Sequence, residues 1–302
     1  MTGSANPSPG TVSGNSFRPR RSVLYMPSSN TRALEKAKSI PCDGLILDLE
    51  DAVAPDAKPA ARENACAAAQ SGEYGRREIT IRVNGMDTPW HRDDIAAAAQ
   101  AGPDAIVVPK VNSAAQVHAL VDAIEKAGAP DHTTLWAMVE TPVAMLHCEE
   151  IASASPRLSV LVMGTNDLAK ELYAEHVPGR APLLTGLGLC LLAARASGTA
   201  ILDGVFNNVK DPDGFAAECA QGREMGFDGK TLIHPGQVAP CNEAFAPSEA
   251  AVAQAHTIIQ AWDEAQARGE GVVTVDGRMI ENLHVDTARR VLSIDEAIRA
   301  MG

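Results

Sequence analysis

Residues 104–140, DAIVVPKVNSAAQVHALVDAIEKAGAPDHTTLWAMVE, decide the fold. Two short apolar runs, DAIVVPK (104–110) and LWAMVE (135–140), flank SAAQVHALVDAIEKAG (113–128), whose apolar residues recur at three- and four-residue steps before a glycine. That order predicts strand, helix, strand, with strands apolar enough to be buried on both faces. The alternation extends in both directions. SVLYM (22–26), GLILDL (44–49) and EITIRV (78–83) precede it, and SVLVMG (159–164), TAILDG (199–204) and KTLIH (230–234) follow. Stretches of helical period such as TRALEKAKSI, AARENACAAAQ and PDGFAAECAQGREMG lie between them. Eight βα units in strict alternation predict a (β/α)8 TIM barrel over residues 17–245, with an open doubly wound sheet as the rival.

Beyond residue 245 the pattern changes. PSEAAVAQAHTIIQAWDEAQARG predicts one amphipathic helix, GVVTVDGRMIENL a hairpin turning at Asp276-Gly277, and VDTARRVLSIDEAIRAM a final helix. Residues 246–302 are thus a C-terminal helix-hairpin-helix appendage, able to cap its own barrel or to reach a neighbouring subunit. At the other end MTGSANPSPGTVSGNS (1–16) has almost nothing to bury and predicts a disordered leader.

The chain has 302 residues, a formal charge of −12 and only 3 Trp, 3 Tyr and 5 Phe. It lacks the cationic face and stacking rings that nucleic-acid binding uses, so nucleic acid is excluded as the main partner. No apolar run reaches the roughly 18 residues of a membrane span, and the first twenty residues lack the apolar core expected of a secretory signal. Cysteines 42, 66, 148, 190, 219 and 241 are far apart, without CxxC or zinc spacing. They read as reduced thiols of a cytoplasmic protein.

Chemistry in such a barrel occurs at the C-terminal ends of the strands, and there the sequence is strongly polar. In order come Ser28 and Ser29, then Asp48, Glu50 and Asp51 of DLED, then Arg82 and Asn84, then Lys110, Glu140, Asp167, Asp203 and His234. Burying unpaired charge costs several kcal/mol, so something must compensate such a rim, and a divalent cation is economical. Glu140 ends one run and Asp167 follows the next by a short GTN turn, which puts two hard oxygen ligands on adjacent strands, enough for Mg2+. Capping of helix amides is the alternative role for both. The DLED carboxylates could instead cap the next helix or pair with Arg21 or Arg82. Arg82 offers a planar fork to a substrate carboxylate or oxyanion, or to DLED itself. His234 is equally readable as a structural histidine or as a ligand. HCEE (147–150) reads as a solvated helix turn. TGLGLCLL lacks the third glycine of a dinucleotide fingerprint, and neither a Walker lysine nor a GxSxG elbow appears.

With RSVLYMPSSN, LDLEDAV, KPAAR, IRVNG, VPKV, VETP, GTNDLA, LDGVF, GKTLIHPGQV and DGRMIENLHVDTARR in order, the chain resembles the citrate lyase β-subunit-like and malyl-CoA lyase-type CoA-ester lyases of the HpcH/HpaI aldolase superfamily. The resemblance covers most of residues 18–302. It implies a Mg2+-dependent carbon–carbon lyase that cleaves or forms a β-hydroxyacyl-CoA such as malyl-, citramalyl- or citryl-CoA, giving an acyl-CoA and a 2-oxo acid. Some members hydrolyse the thioester instead. A metal-dependent oxo-acid aldolase and a non-catalytic acyl-CoA-binding subunit are the other readings.

Carried over by position, Glu140 and Asp167 resemble the metal ligands, with Glu140 also at the substrate. Arg82 resembles the grip on substrate carboxylate and thioester oxygen. Asp48, Glu50 and Asp51 resemble the carboxylates that orient metal-bound water, with Asp48 counted among the catalytic groups. Tyr25 and Lys36 fall where relatives contact CoA, and Asn30 replaces a cation found there in some of them. Glu281 stands where relatives carry an aspartate that reaches a neighbouring subunit's site as acid or base. The resemblance further implies a trimer-based homo-oligomer.

Overall fold

The computed structural model describes residues 18–301, and the expected leader, residues 1–16, lies outside the described residues. Eight parallel strands close on themselves: β1 (Ser22–Pro27), β2 (Gly44–Asp48), β3 (Glu78–Arg82), β4 (Ala105–Val108), β5 (Thr134–Val139), β6 (Leu158–Met163), β7 (Ala200–Asp203) and β8 (Gly229–Leu232). Pairing of Ser22 with Lys230 through Leu24 with Leu232 joins the first strand to the last, so the sheet has no edges and the open-sheet rival is excluded. Each strand falls on the apolar run expected for it, within one or two residues.

The strands are buried because two apolar layers meet on them. Inside the barrel Val23, Ile46, Ala105, Val107, Trp136, Met138, Val160, Val162 and Leu202 fill the lumen. Alternate residues such as Leu24, Leu45, Leu47, Ile81, Ile106, Leu135 and Leu161 point outward against the helices. The helical layer comprises α1 (Thr31–Ala37), α2 (Lys58–Gln70), α3 (His91–Ala101), α4 (Ala114–Lys126), α5 (Pro142–Leu146), α6 (Cys148–Ser153), α7 (Thr165–Glu171), α8 (Leu184–Ser197), α9 (Pro212–Met225) and α10 (Val238–Phe245). In α4 the Ser113 side chain accepts the Gln116 amide and Val117, Leu120 and Ile124 face the barrel, so the helical period read from the sequence is the packing face itself. The HCEE segment departs from its reading in one residue: His147, Glu149 and Glu150 are exposed, but Cys148 is buried, because the break at the single residue His147 redirects the chain into α6, which packs on α8. All six thiols are free.

Arg20–Phe245 form one compact unit, and the chain from Ala246 onward belongs to a second. That unit contains α11 (Glu249–Ala267), the hairpin of β9 (Val273–Val275) and β10 (Arg278–Ile280), and α12 (Asn282–Met301). Asp276 and Gly277 both have positive φ, +48° and +75°, which gives the hairpin its two-residue turn. Trp262, Val275, Ile280 and Val285 make its core. Among the described residues no helix is long and apolar enough to cross a membrane.

Candidate active site

The C-terminal mouth of the barrel opens into a pocket of about 320 Å3 lined by Tyr25, Asp48, Asp51, Arg82, Met138, Glu140, Met163, Asn166, Asp167, Val205, Thr231 and Ile233, among others. Asp48 and Asp51, Arg82, Glu140 and Asp167, read from four strand ends, thus line one cavity, whereas Glu50 is outside its lining.

Its cationic wall follows from strand register. Asp48 and Arg82 end neighbouring parallel strands opposite one another, and the Asp48 carboxylate accepts from Arg82 Nε at 2.6 Å and Nη2 at 2.8 Å. The same carboxylate accepts the amides of Glu50 and Ala52. Burial opposes its charge, but the guanidinium and these hydrogen bonds hold its pKa below the usual carboxylate range. Arg82 Nη1 lies 2.8 Å from Glu50 and 3.4 Å from Asp51. The fork is therefore turned to Asp48, and only the Nη1 edge, shared with Glu50 and the exposed Asp51, is left for a ligand. Of the DLED alternatives, pairing with Arg82 occurs; the Asp48 carboxylate closes the turn at Glu50 and Ala52 and caps no helix, since the helical segments that follow, from Pro55 and from Lys58, have no side-chain cap, and Arg21 pairs with Asp43. The Tyr25 ring lies 4.7 Å beneath the guanidinium carbon, and burial pushes its phenol pKa up. Burial also raises Glu50 to about 8, in spite of the adjacent Arg82 charge.

On the facing wall, Glu140 is 2% exposed, and one of its oxygens accepts the Lys110 amide at 2.8 Å. Lys110 adopts φ +54°. Its ammonium stands 3.7 Å from Asp167 in the first turn of α7. Burial, and then the Asp167 charge, raise Glu140 to about 7. A buried carboxylate so disfavoured by its surroundings suits a cation. Gly164 leaves the space for it: a Cβ there would come within 2.1 Å of Glu140 Oε2. No group of three or more His, Cys, Asp or Glu able to hold a metal occurs among the described residues. Two carboxylates with water and ligand oxygens match a magnesium shell, so the donor set fits that ion.

Several rim residues are not brought to this pocket. Asp203 follows the inward Leu202 and so points outward, into a buried cluster with Lys230 (3.0 Å) and Arg180 (2.6 Å). His234 is exposed, and its Nδ1 accepts the Gly236 amide as a cap. Asn84 is held by Asp94. Ser28 is fully buried and Ser29 exposed, neither in the lining. Asn30 caps α1, and Lys36 is exposed on that helix, outside the lining. Glu281 follows β10 in the second unit, its amide 3.3 Å from His284 Nδ1. Sequence reasoning missed the apolar walls Met138, Met163, Val205 and Ile233. Two of them close apolar runs, which was the available signal.

Comparison with known proteins follows the same lines. A (3S)-malyl-CoA thioesterase of Cereibacter sphaeroides is 55% identical over 94% of this chain and 97% of its own. The citrate lyase β subunit of Leuconostoc mesenteroides subsp. cremoris and an L-malyl-CoA/β-methylmalyl-CoA lyase of C. sphaeroides are each 36% identical over 94% of this chain, covering 95% and 96% of those proteins. The crystal structure of CitE from Mycobacterium tuberculosis in complex with magnesium, acetoacetate and coenzyme A aligns with a TM-score of 0.73 at 29% identity, over 91% of this chain and 97% of that one. A C–C bond lyase family of the TIM-barrel fold matches residues 186–297, and the HpcH/HpaI aldolase/citrate lyase family matches residues 21–235. The chain belongs to the HpcH/HpaI aldolase/citrate lyase family.

Proposed function

We propose that the protein acts, with Mg2+, on a short β-hydroxyacyl-CoA of the malyl-CoA class, and that it hydrolyses the thioester. The observation that carries the reading is the meeting in one pocket of a buried carboxylate pair, Glu140 and Asp167, with the Arg82 guanidinium. Identity of 55% to a malyl-CoA thioesterase, against 36% to a lyase, favours hydrolysis over carbon–carbon cleavage. Magnesium held by Glu140 and Asp167 would chelate the substrate's terminal carboxylate and neighbouring hydroxyl and polarise them.

The remaining work belongs to the chain. Hydrolysis and carbon–carbon cleavage both build negative charge on the thioester oxygen, and the Nη1 edge of Arg82 is the donor for it. Tyr25 and Asp48 hold that guanidinium still. In hydrolysis water forms the new C–O bond, the C–S bond breaks, and the proton lost by water ends on the departing thiol. Asp51, in the lining beside Arg82, is the carboxylate for that transfer. Glu281, reaching another subunit's site in a trimer-based assembly, is the acid or base for the carbon-directed proton of the second reading, the lyase reaction favoured by the 36% relatives.

Incubation with (3S)-malyl-CoA, with Mg2+ or EDTA, tests this. Free thiol and malate in equal amounts, without glyoxylate and only with the metal, are expected. Glyoxylate with acetyl-CoA would establish the second reading, and no turnover of any malyl-class thioester would overturn both.

A pH signature accompanies the metal. Glu140, raised from 4.5 to about 7 in the fold, binds its proton more tightly folded than unfolded. Its contribution to stability is full below pH 4.5 and is lost as the pH rises through 7, a loss of about 3 kcal/mol at most. A divalent cation competes with that proton. The gain in Tm on adding Mg2+ is therefore expected to be small at pH 6 and several degrees at pH 8. Thermal melts in MgCl2 and in EDTA at both pH values check it, and an equal gain at both would contradict it.

A further inference from the structure

The geometry points to Lys58 as the residue that positions the Arg82 clamp, by fixing the backbone of the DLED loop. Lys58 opens α2 within KPAAR, a motif to which the catalytic reading gives no task. A lysine at the first turn of a helix opposes the helix dipole, and this one is 5% exposed, so it suits neither helix stability nor solvation. What it meets explains it. Its ammonium donates to the carbonyl oxygens of Leu49 and Glu50, 2.7 Å each, and lies 5.2 Å over the Trp90 ring. Two charge-assisted bonds thus pin consecutive peptides of the loop that carries Asp48, Glu50 and Asp51, the three carboxylates around Arg82.

One helical turn on, Arg62 binds Asp94 at 2.6 Å, and Asp94 holds both the backbone and the side-chain amide of Asn84. The first two turns of α2 therefore brace the segments that leave β2 and β3. Lys58 does not line the pocket and acts through Glu50, Asp51 and Arg82. The inference rests on Arg82 as the substrate grip, whereas Glu140 and Asp167, the proposed metal ligands, stand beyond the ends of β5 and β6.

Lys58→Met and Lys58→Arg test it by three readouts. In K58M, amide exchange across residues 49–57 is expected to quicken at least tenfold, kcat/KM for malyl-CoA to fall at least thirtyfold, and Mn2+ affinity to stay within twofold of wild type. K58R, which keeps the charge and the donors, is expected to restore most of both losses. Unchanged exchange in K58M, or K58R as defective as K58M, would overturn the assignment. Wild-type protein that binds Mn2+ but turns over no malyl-class thioester would sink the functional reading, while the exchange result would still decide the role of Lys58. Loss of Mn2+ binding in K58M would mark a general defect and overturn the specific role.

Discussion

Glu140→Gln is expected to lower kcat/KM by about a thousandfold or more and to abolish the response of Tm to Mg2+, while making the metal-free protein more stable at pH 8. The two effects have one origin. Glu140 is buried and costly to ionise, and only a cation makes its charge worthwhile. The neutral amide can still accept from the Lys110 amide and fits the space left by Gly164. It cannot hold the ion. Kinetics in Mg2+ beside melts in EDTA measure both, and a variant that is inactive but no more stable than wild type at pH 8 would show that burial is not what strains the carboxylate. Gly164→Ala reaches the same carboxylate by sterics and should share the catalytic loss without the gain in stability.

Arg82→Met should be nearly as inactive, by about 100- to 1000-fold for the lost oxyanion donor, and should also lose about 3–5 kcal/mol of stability. Methionine replaces the alkyl stem but leaves Asp48 buried without its cation. Adding Asp48→Asn removes the stranded charge, so the double variant should recover most of the stability and none of the activity. Denaturant melts of the four proteins give the coupling, and simple additivity of the two losses would show that the pair does not act as a unit.

The barrel was legible because every strand is an apolar run and every crossover keeps helical period, and both signals are local. Glu140, Arg82 and Asp48 were legible for the same reason, since each terminates such a run. Asp203 was not, because its side of the sheet depends on whether Leu202 or Asp203 continues the inward alternation, and its companions Lys230 and Arg180 lie 27 and 23 residues away. Lys58 was hidden by its helix, where a lysine ordinarily means a wetted surface. The direction of the Arg82 fork was left open because it is fixed by the register of β3 on β2, which sets Asp48 opposite Arg82 and is not written in either run alone.

Below Met138 the barrel is stoppered by Trp136, Val107, Ile46 and Val160. The lumen beneath the pocket is thus filled and gives no passage along the barrel axis. If the proposed hydrolysis takes place here, the acid held at Glu140 and Asp167 is expected to leave after the thiol, because the plugged lumen offers it no second exit through the far end of the barrel.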